Sequence, residues 1–234
     1  MCHRLSRPAT ALPGLLLVAA ALAACGSSGS SNNIATKPAA EILAATKLAA
    51  EGAKAVHVSG SIVNGGRPVG LDVNLLTGSG ARGRLSENGL SFELIQTGGS
   101  VYIKGSPAFY RRIGGAAAAQ LLQGRWLKIP ASSLGFASLS KLTDLRRLVD
   151  AALSTPGGVA KKGTATVNGK PAVVLTSPSK GGALFVATTG RPYPIQITKQ
   201  GPNGGSISFD RWDQPVALTV PTNALDITQL QAGH

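Results

Sequence analysis

Between residues 55 and 104, apolar and polar side chains alternate in four separate runs. Val56, Val58, Gly60 and Ile62 alternate with His57, Ser59 and Ser61, and Leu71, Val73 and Leu75 alternate with Asp72 and Asn74. Leu90, Phe92 and Leu94 alternate with Ser91 and Glu93, and Val101 and Ile103 with Tyr102 and Lys104. A period of two places one set of side chains on each face of a strand, so one face is dry and the other wet, as antiparallel sheets allow. The dipeptides Asn64-Gly65, Asn88-Gly89, Asn168-Gly169 and Asn203-Gly204 lie between such runs. Asn-Gly favours the two-residue hairpin turn whose central residues both need positive φ. Further strands are expected over 125–130, 162–167, 172–177, 183–188, 193–199 and 206–212, about ten in all.

The period lengthens towards 3.6 in two places. Residues 39–54 follow Pro38 and carry Ile42, Ala45, Leu48, Ala49 and Gly52 on one side, a weakly apolar helix. Residues 138–153 carry Leu139, Leu142, Leu145, Val149 and Ala152 as a stripe, with Lys141, Arg146 and Arg147 mostly off it. Thr155-Pro156-Gly157-Gly158 ends this second helix. The Ala-rich stretch 114–124 reads as a short helix or an ordered loop. No repeat of fixed period is present. Two β blocks around a helical middle make an α+β fold with antiparallel strands.

The first 37 residues follow different rules. A basic start (His3, Arg4, Arg7) precedes the apolar run Leu15-Leu16-Leu17-Val18-Ala19-Ala20-Ala21 and then Leu22-Ala23-Ala24-Cys25. This is the pattern of a secretory signal, and its core is shorter than the roughly 20 apolar residues of a membrane span. A cysteine directly after Leu-Ala-Ala resembles the lipobox of bacterial lipoproteins, in which the thiol takes up a diacylglycerol. The expected division is a signal over 1–24, a lipidated Gly/Ser/Asn linker over 25–37 and one domain over 38–234. Such a linker buries too little surface to offset its own ordering. The expected location is the extracytoplasmic face of the cell membrane, held by Cys25.

Composition adds two constraints. Cys2 and Cys25 are the only cysteines, so no disulfide scaffold is available to the processed chain. The formal net charge is +13. A basic surface suits nucleic acid, an anionic membrane or a negatively charged ligand. Outside the cytoplasm, and without an RNA-binding or zinc-finger signature, nucleic acid is the least supported of the three, and no nucleic-acid partner is expected.

An apolar sheet face must be covered. Aromatic residues make up only 4% of the chain, so Ala, Val and Leu do the filling. A curved sheet closing on two thin helices ends either as a packed core or as an apolar void that stays dry and takes apolar guests. Composition alone leaves both open.

The order of elements resembles the mycobacterial LppX/LprG/LprA/LprF lipoproteins, relatives of the LolA/LolB fold. The resemblance is carried by the lipobox and by a helix leading into Ala55-Val56-His57-Val58-Ser59-Gly60. It continues through Ser100-Val101-Tyr102-Ile103-Lys104 and Gly124-Arg125-Trp126-Leu127-Lys128-Ile129. Later come residues 163–172, Arg191-Pro192-Tyr193-Pro194-Ile195, and residues 206–216 with Pro221. It implies a half-barrel, a strongly curved antiparallel sheet of about ten strands wrapping two or more helices, whose cavity holds acyl chains of envelope lipids, with a lipid or glycolipid as ligand and envelope transport proteins as further partners. The inward positions are then Val58, Ile62, Leu71, Val73, Leu75, Phe92, Leu94, Val101, Ile103, Ile195, Ile197, Ile207 and Phe209. Leu142, Leu145 and Val149 face them from the helix. Arg111, Arg112, Arg125, Arg146 and Arg147 are the candidates for headgroup or membrane contact. The alternative is an envelope interaction, assembly or sensor protein with a filled core and no cargo.

An enzyme reading has little support. His57 alternates with valines and so reads as an idle residue on the wet face of its strand, and His234 is the last residue. No Gly-x-Ser-x-Gly elbow, thiol–histidine pair or metal-ligand spacing is present. Asp210 and Asp213, flanking Trp212, read as turn and edge residues. No cofactor is called for.

Overall fold

A computed structural model describes residues 30–78, 80–133, 144–154, 158–179 and 181–232. The expected signal over 1–24, Cys25, Leu142 and the first part of the helix expected over 138–153 lie outside the described residues.

The strands are β1 (Ala55–Asn64), β2 (Arg67–Leu76), β3 (Gly80–Glu87), β4 (Leu90–Thr97), β5 (Ser100–Gly105) and β6 (Leu127–Pro130). They continue as β7 (Ala160–Val167), β8 (Lys170–Ser177), β9 (Gly182–Ala187), β10 (Pro194–Lys199), β11 (Gly205–Asp210) and β12 (Leu225–Asp226). The helices are α1 (Ala39–Glu51), α2 (Pro107–Leu122), α3 (Leu145–Leu153) and α4 (Ile227–Ala232), with a 3₁₀ turn over Ile34–Thr36. All twelve strands form one curved, unclosed sheet in the order β12-β6-β5-β4-β3-β2-β1-β11-β10-β9-β8-β7. Every pairing is antiparallel except β12 with β6. The two β blocks join where β1 pairs with β11, Val58 opposite Phe209.

The expected count of about ten strands becomes twelve for a physical reason. In β3 the inward positions are Ala81, Gly83 and Leu85, so only one bulky side chain marks the alternation. A Cβ on Gly83 would stand 2.2 Å from the Asp72 carbonyl oxygen, so close approach of β2 requires glycine there. Strand β12 is two residues long and is made only by pairing with β6.

The turns also refine the expectation. Asn88-Gly89 and Asn168-Gly169 form two-residue turns with positive φ at both positions. The first hairpin instead turns on Gly65-Gly66, with Asn64 paired to Arg67, because two glycines accept the left-handed conformation at less cost than asparagine and glycine. Gly98-Gly99 forms a fourth turn of this kind. Asn203-Gly204 belongs to a longer loop joining Lys199 and Gly205.

The helices lie on one face of the sheet. In α1 the buried residues are Ile42, Thr46, Ala49 and Ala50, whereas Leu48 is 73% exposed. The stripe is therefore rotated from the expected one, and the Thr46 hydroxyl is satisfied by donating to the Ile42 carbonyl at 2.7 Å. Asp144 caps α3 by accepting from the Arg147 amide at 3.1 Å, and Leu145, Val149 and Leu153 are buried. Lys47 and Asp150, 2.6 Å apart, join α1 to α3. Helix α2 begins seven residues before the expected Ala-rich stretch, because Ser106 caps it and Pro107 takes its first position. It bends at Gly115, where φ is 76° and ψ is −170°.

Residues just before Pro38 contact the sheet. Ser31 pairs with Thr189, Ile34 is buried, and the Asn32 side-chain amide donates to the Ala187 and Gly190 carbonyls, both at 3.0 Å. After β11 the chain crosses the outer face of the sheet. There Arg82 donates to the Ala217 carbonyl at 3.4 Å, and the Leu225 amide reaches the Trp126 carbonyl at 2.7 Å.

Candidate functional site

Two apolar clusters fill the inner face. The larger one gathers Val58, Val73, Leu75, Leu94 and Phe209 from the sheet with Ile42 of α1 and Leu145, Val149 and Leu153 of α3. Leu71, Phe92, Ile197 and Ile207 pack against it half-buried. All of these except Ile42 and Leu153 are nominated inward residues, and the fold brings them to one place. Val101 and Ile103 belong instead to a second cluster under α2, with Tyr110, Ala119, Leu127 and Ile129. Phe92 touches both clusters. Ile195 is buried at the irregularity between β9 and β10, and Ile62 stays half-buried near the end of β1; neither joins a cluster. The space between the middle of the sheet and the described part of α3 is thus occupied by the protein's own side chains.

Open space lies to one side of it. A half-open cavity of about 250 Å³ sits where the C-terminal end of α3 and Leu43 of α1 meet β8, β9 and β10. Its apolar wall is Leu43, Leu153, Val159, Leu175, Leu184 and Ile197. The rim carries Ser177, Thr198 and Lys199, and Lys199 is the one charged side chain lining it among the described residues. Of the nominated inward residues only Ile197 lines it. Lys199 was missed because nothing in its strand distinguishes it from any lysine at a hairpin end.

The five arginines do not converge on this cavity. Arg146 and Arg147 stand at the opposite end of α3, where they line an open depression with Thr77, Gly78 and Gln96. Arg111, Arg112 and Arg125 are exposed on and after α2.

The outer face holds a second arrangement. His57 is buried, its Nδ1 2.6 Å from Asp210 Oδ1 and its Nε2 2.7 Å from Asp72 Oδ1. Both ring nitrogens lie within hydrogen-bond distance of carboxylate oxygens. His57 is therefore a paired residue rather than an idle one. Asp210 sits opposite it in register and Asp72 sits diagonally across, placements a single strand does not reveal. Asp213 is more than a turn residue: its carboxylate accepts from the Tyr193 hydroxyl and, at 2.7 Å, from the Lys54 amide. The Tyr193 hydrogen bond, ahead of its other contacts, holds the Asp213 carboxyl below the ordinary range, while burial first and Asp213 second push the Tyr193 phenol up to about 12. Tyr193 stacks on Trp212 at 4.4 Å, and Trp212 Nε1 donates to the Pro194 carbonyl at 3.1 Å. Among the described residues no cluster of three or more His, Cys, Asp or Glu side chains is placed to hold a metal, and no helix is long and apolar enough to cross a membrane.

No family model matches this sequence, and no curated protein does. Solved structures do. LprF from Mycobacterium bovis superposes with a TM-score of 0.55 at 18% identity, over 79% of this chain and 98% of that one. The Mycobacterium tuberculosis lipoprotein LppX gives 0.47 at 18% identity, over 77% and 99%. MucB in its complex with MucA from Pseudomonas aeruginosa gives 0.38 at 15% identity, over 78% and 61%. The twelve-stranded sheet, curved around helices and left open at both edges, has the fold of LprF, a LolA-like half-barrel.

Proposed function

We propose that this protein is an envelope lipoprotein, anchored through an acylated Cys25, that binds an acyl-chain lipid on the inner side of its half-barrel. The observation that carries this reading is the apolar cavity between α1, α3 and β8–β10, with Lys199 at its rim. A hydrocarbon chain gains about 0.8 kcal/mol for each methylene it removes from water, so a dry pocket with a polar mouth is all that a carrier needs. At about 250 Å³ the cavity falls below the roughly 300–1,000 Å³ typical of drug-sized ligands, which suits one tail rather than several. Lys199 would meet an anionic headgroup or a fatty-acid carboxylate. The lipobox-like residues 22–25 support the anchor and the envelope location.

The packed cluster around Leu145 and Val149 favours a second reading, in which the same fold works as an interaction or assembly module without cargo. One experiment separates the two. Gently purified protein is measured by native mass spectrometry, then delipidated and titrated with a fluorescent long-chain fatty acid. The carrier reading expects a bound-lipid mass or saturable uptake. It expects Ile197→Trp to block uptake and Lys199→Glu to weaken it about five-fold, the loss of one exposed ion pair. A bare polypeptide mass together with no uptake overturns it and leaves the cargo-free reading.

A further inference from the structure

The bend of α2 stands away from the rest of the molecule. The first limb of the helix is held by Phe109 and Tyr110, and the Tyr110 hydroxyl lies between the Gly105 amide and the Arg125 carbonyl at 2.8 and 3.3 Å. The second limb is held by Ala119 and Leu122. Between them every residue from Arg111 to Ala117 is exposed. A Cβ added to Gly115, at the bend, would meet nothing within 4 Å. The tip consists of Ile113, two glycines and two alanines behind a pair of arginines. Ile113 is 63% exposed and Leu121, on the second limb, 60%; both are among the few large apolar side chains left in water.

The stretch of sequence that contains this tip carries charge of one sign. No acidic residue occurs in the sequence between Glu93 and Asp144, whereas Arg111, Arg112, Arg125 and Lys128 all lie there. Lys128 is paired with Asp226 at 3.1 Å, while no ion pair engages Arg111, Arg112 or Arg125 among the described residues. A short apolar wedge flanked by unpaired arginines is the chemistry of an interfacial helix: the apolar part enters the acyl boundary, and the guanidinium groups stay among anionic headgroups.

We propose that residues 111–117 form a membrane-docking tip that enters an anionic lipid surface, with Ile113 at the acyl boundary and Arg111, Arg112 and Arg125 at the headgroups. This contact is separate from any anchor at Cys25 and does not require the cavity to hold cargo. Its occupant is a bilayer surface rather than a protein, because the tip pairs single-signed charge with small side chains that offer little shape for a specific partner.

The test uses the full chain carrying Ile113→Trp, mixed with vesicles of phosphatidylcholine alone or with phosphatidylglycerol. Some vesicles carry brominated acyl chains that quench only tryptophans reaching them. Fluorescence is read on the vesicle-bound fraction against the parent chain, which has only Trp126 and Trp212. Docking predicts that the introduced tryptophan is blue-shifted and quenched in the phosphatidylglycerol vesicles, an effect relieved by high salt. Arg111→Glu with Arg112→Glu lowers the docked-to-undocked ratio roughly five-fold per arginine. The proposal is overturned by an introduced indole that stays unquenched on bound protein, by equal quenching in neutral vesicles, or by protein that binds neither vesicle. A blue shift that needs no vesicles and grows with protein concentration also overturns it, in favour of a second copy of the chain as occupant. None of these readouts depends on fatty-acid uptake, so this proposal and the carrier reading fail separately.

Discussion

Single residues show how placement in the sheet changes the meaning of a side chain. Tyr193, Asp213, Trp212 and the Lys54 amide tie the start of β1 to the segment after β11, close to where the two β blocks meet. The Tyr193 phenol is raised to about 12, so the folded state favours its protonated form. That contribution is complete below the ordinary tyrosine value near 10 and fades as pH rises from there through about 12. The lowered Asp213 carboxyl behaves in the opposite sense: its contribution is complete above the ordinary carboxylate value and fades as pH falls through the folded one. Thermal unfolding followed against pH is expected to show both flanks, and Tyr193→Phe is expected to flatten each. An unchanged alkaline flank in that variant would mean that Tyr193 is not its source. None of this was legible in sequence, where residues 193 and 213 are merely two polar positions twenty apart.

At the scale of elements, local chemistry decided a good deal. Alternation located β1, β2, β4 and β5, and Asn-Gly pairs located two of the hairpins, because both signals act over neighbouring residues. Where the signal thinned, the element was missed: β3 has a glycine where a bulky residue would mark the pattern, and α2 starts on a cap rather than on an apolar stripe. Gly115 tests the shape of α2. Its φ of 76° lies where other residues are strained, so Gly115→Ala should cost about 1 kcal/mol and straighten or loosen the bend. A second element-scale expectation concerns β3. Gly83→Val drives side-chain atoms into the β2 backbone and should destabilise the fold by roughly 1–3 kcal/mol, measured by denaturant titration. A neutral result would show that β2 and β3 pair more loosely than the register indicates.

For the whole molecule, the decisive feature is how twelve strands share two small helical covers. Leu75, fully buried, stands in the larger cluster with residues of α1 and α3, so Leu75→Ala should cost about 2–5 kcal/mol through lost contacts and the cavity left behind. Residues around the cavity at β8–β10 already face space, and shortening Leu43 there should cost clearly less. Equal losses at the two positions, read from urea midpoints, would contradict the contrast between a packed centre and an open flank.

The amino-acid pattern alone determined that the chain is an antiparallel α+β protein, roughly where most strands run, and that it is basic and poor in cysteine. Periodicity, turn preference and charge are properties of residues close together in sequence, so they survive without a fold. Only the tertiary structure decided which apolar side chains meet, that His57 sits between Asp72 and Asp210, that open space lies beside β8–β10, and that the bend of α2 is left bare. Those outcomes depend on register between distant strands and on where a curved sheet runs out of helix to cover it, and neither quantity is carried by any short stretch of the chain.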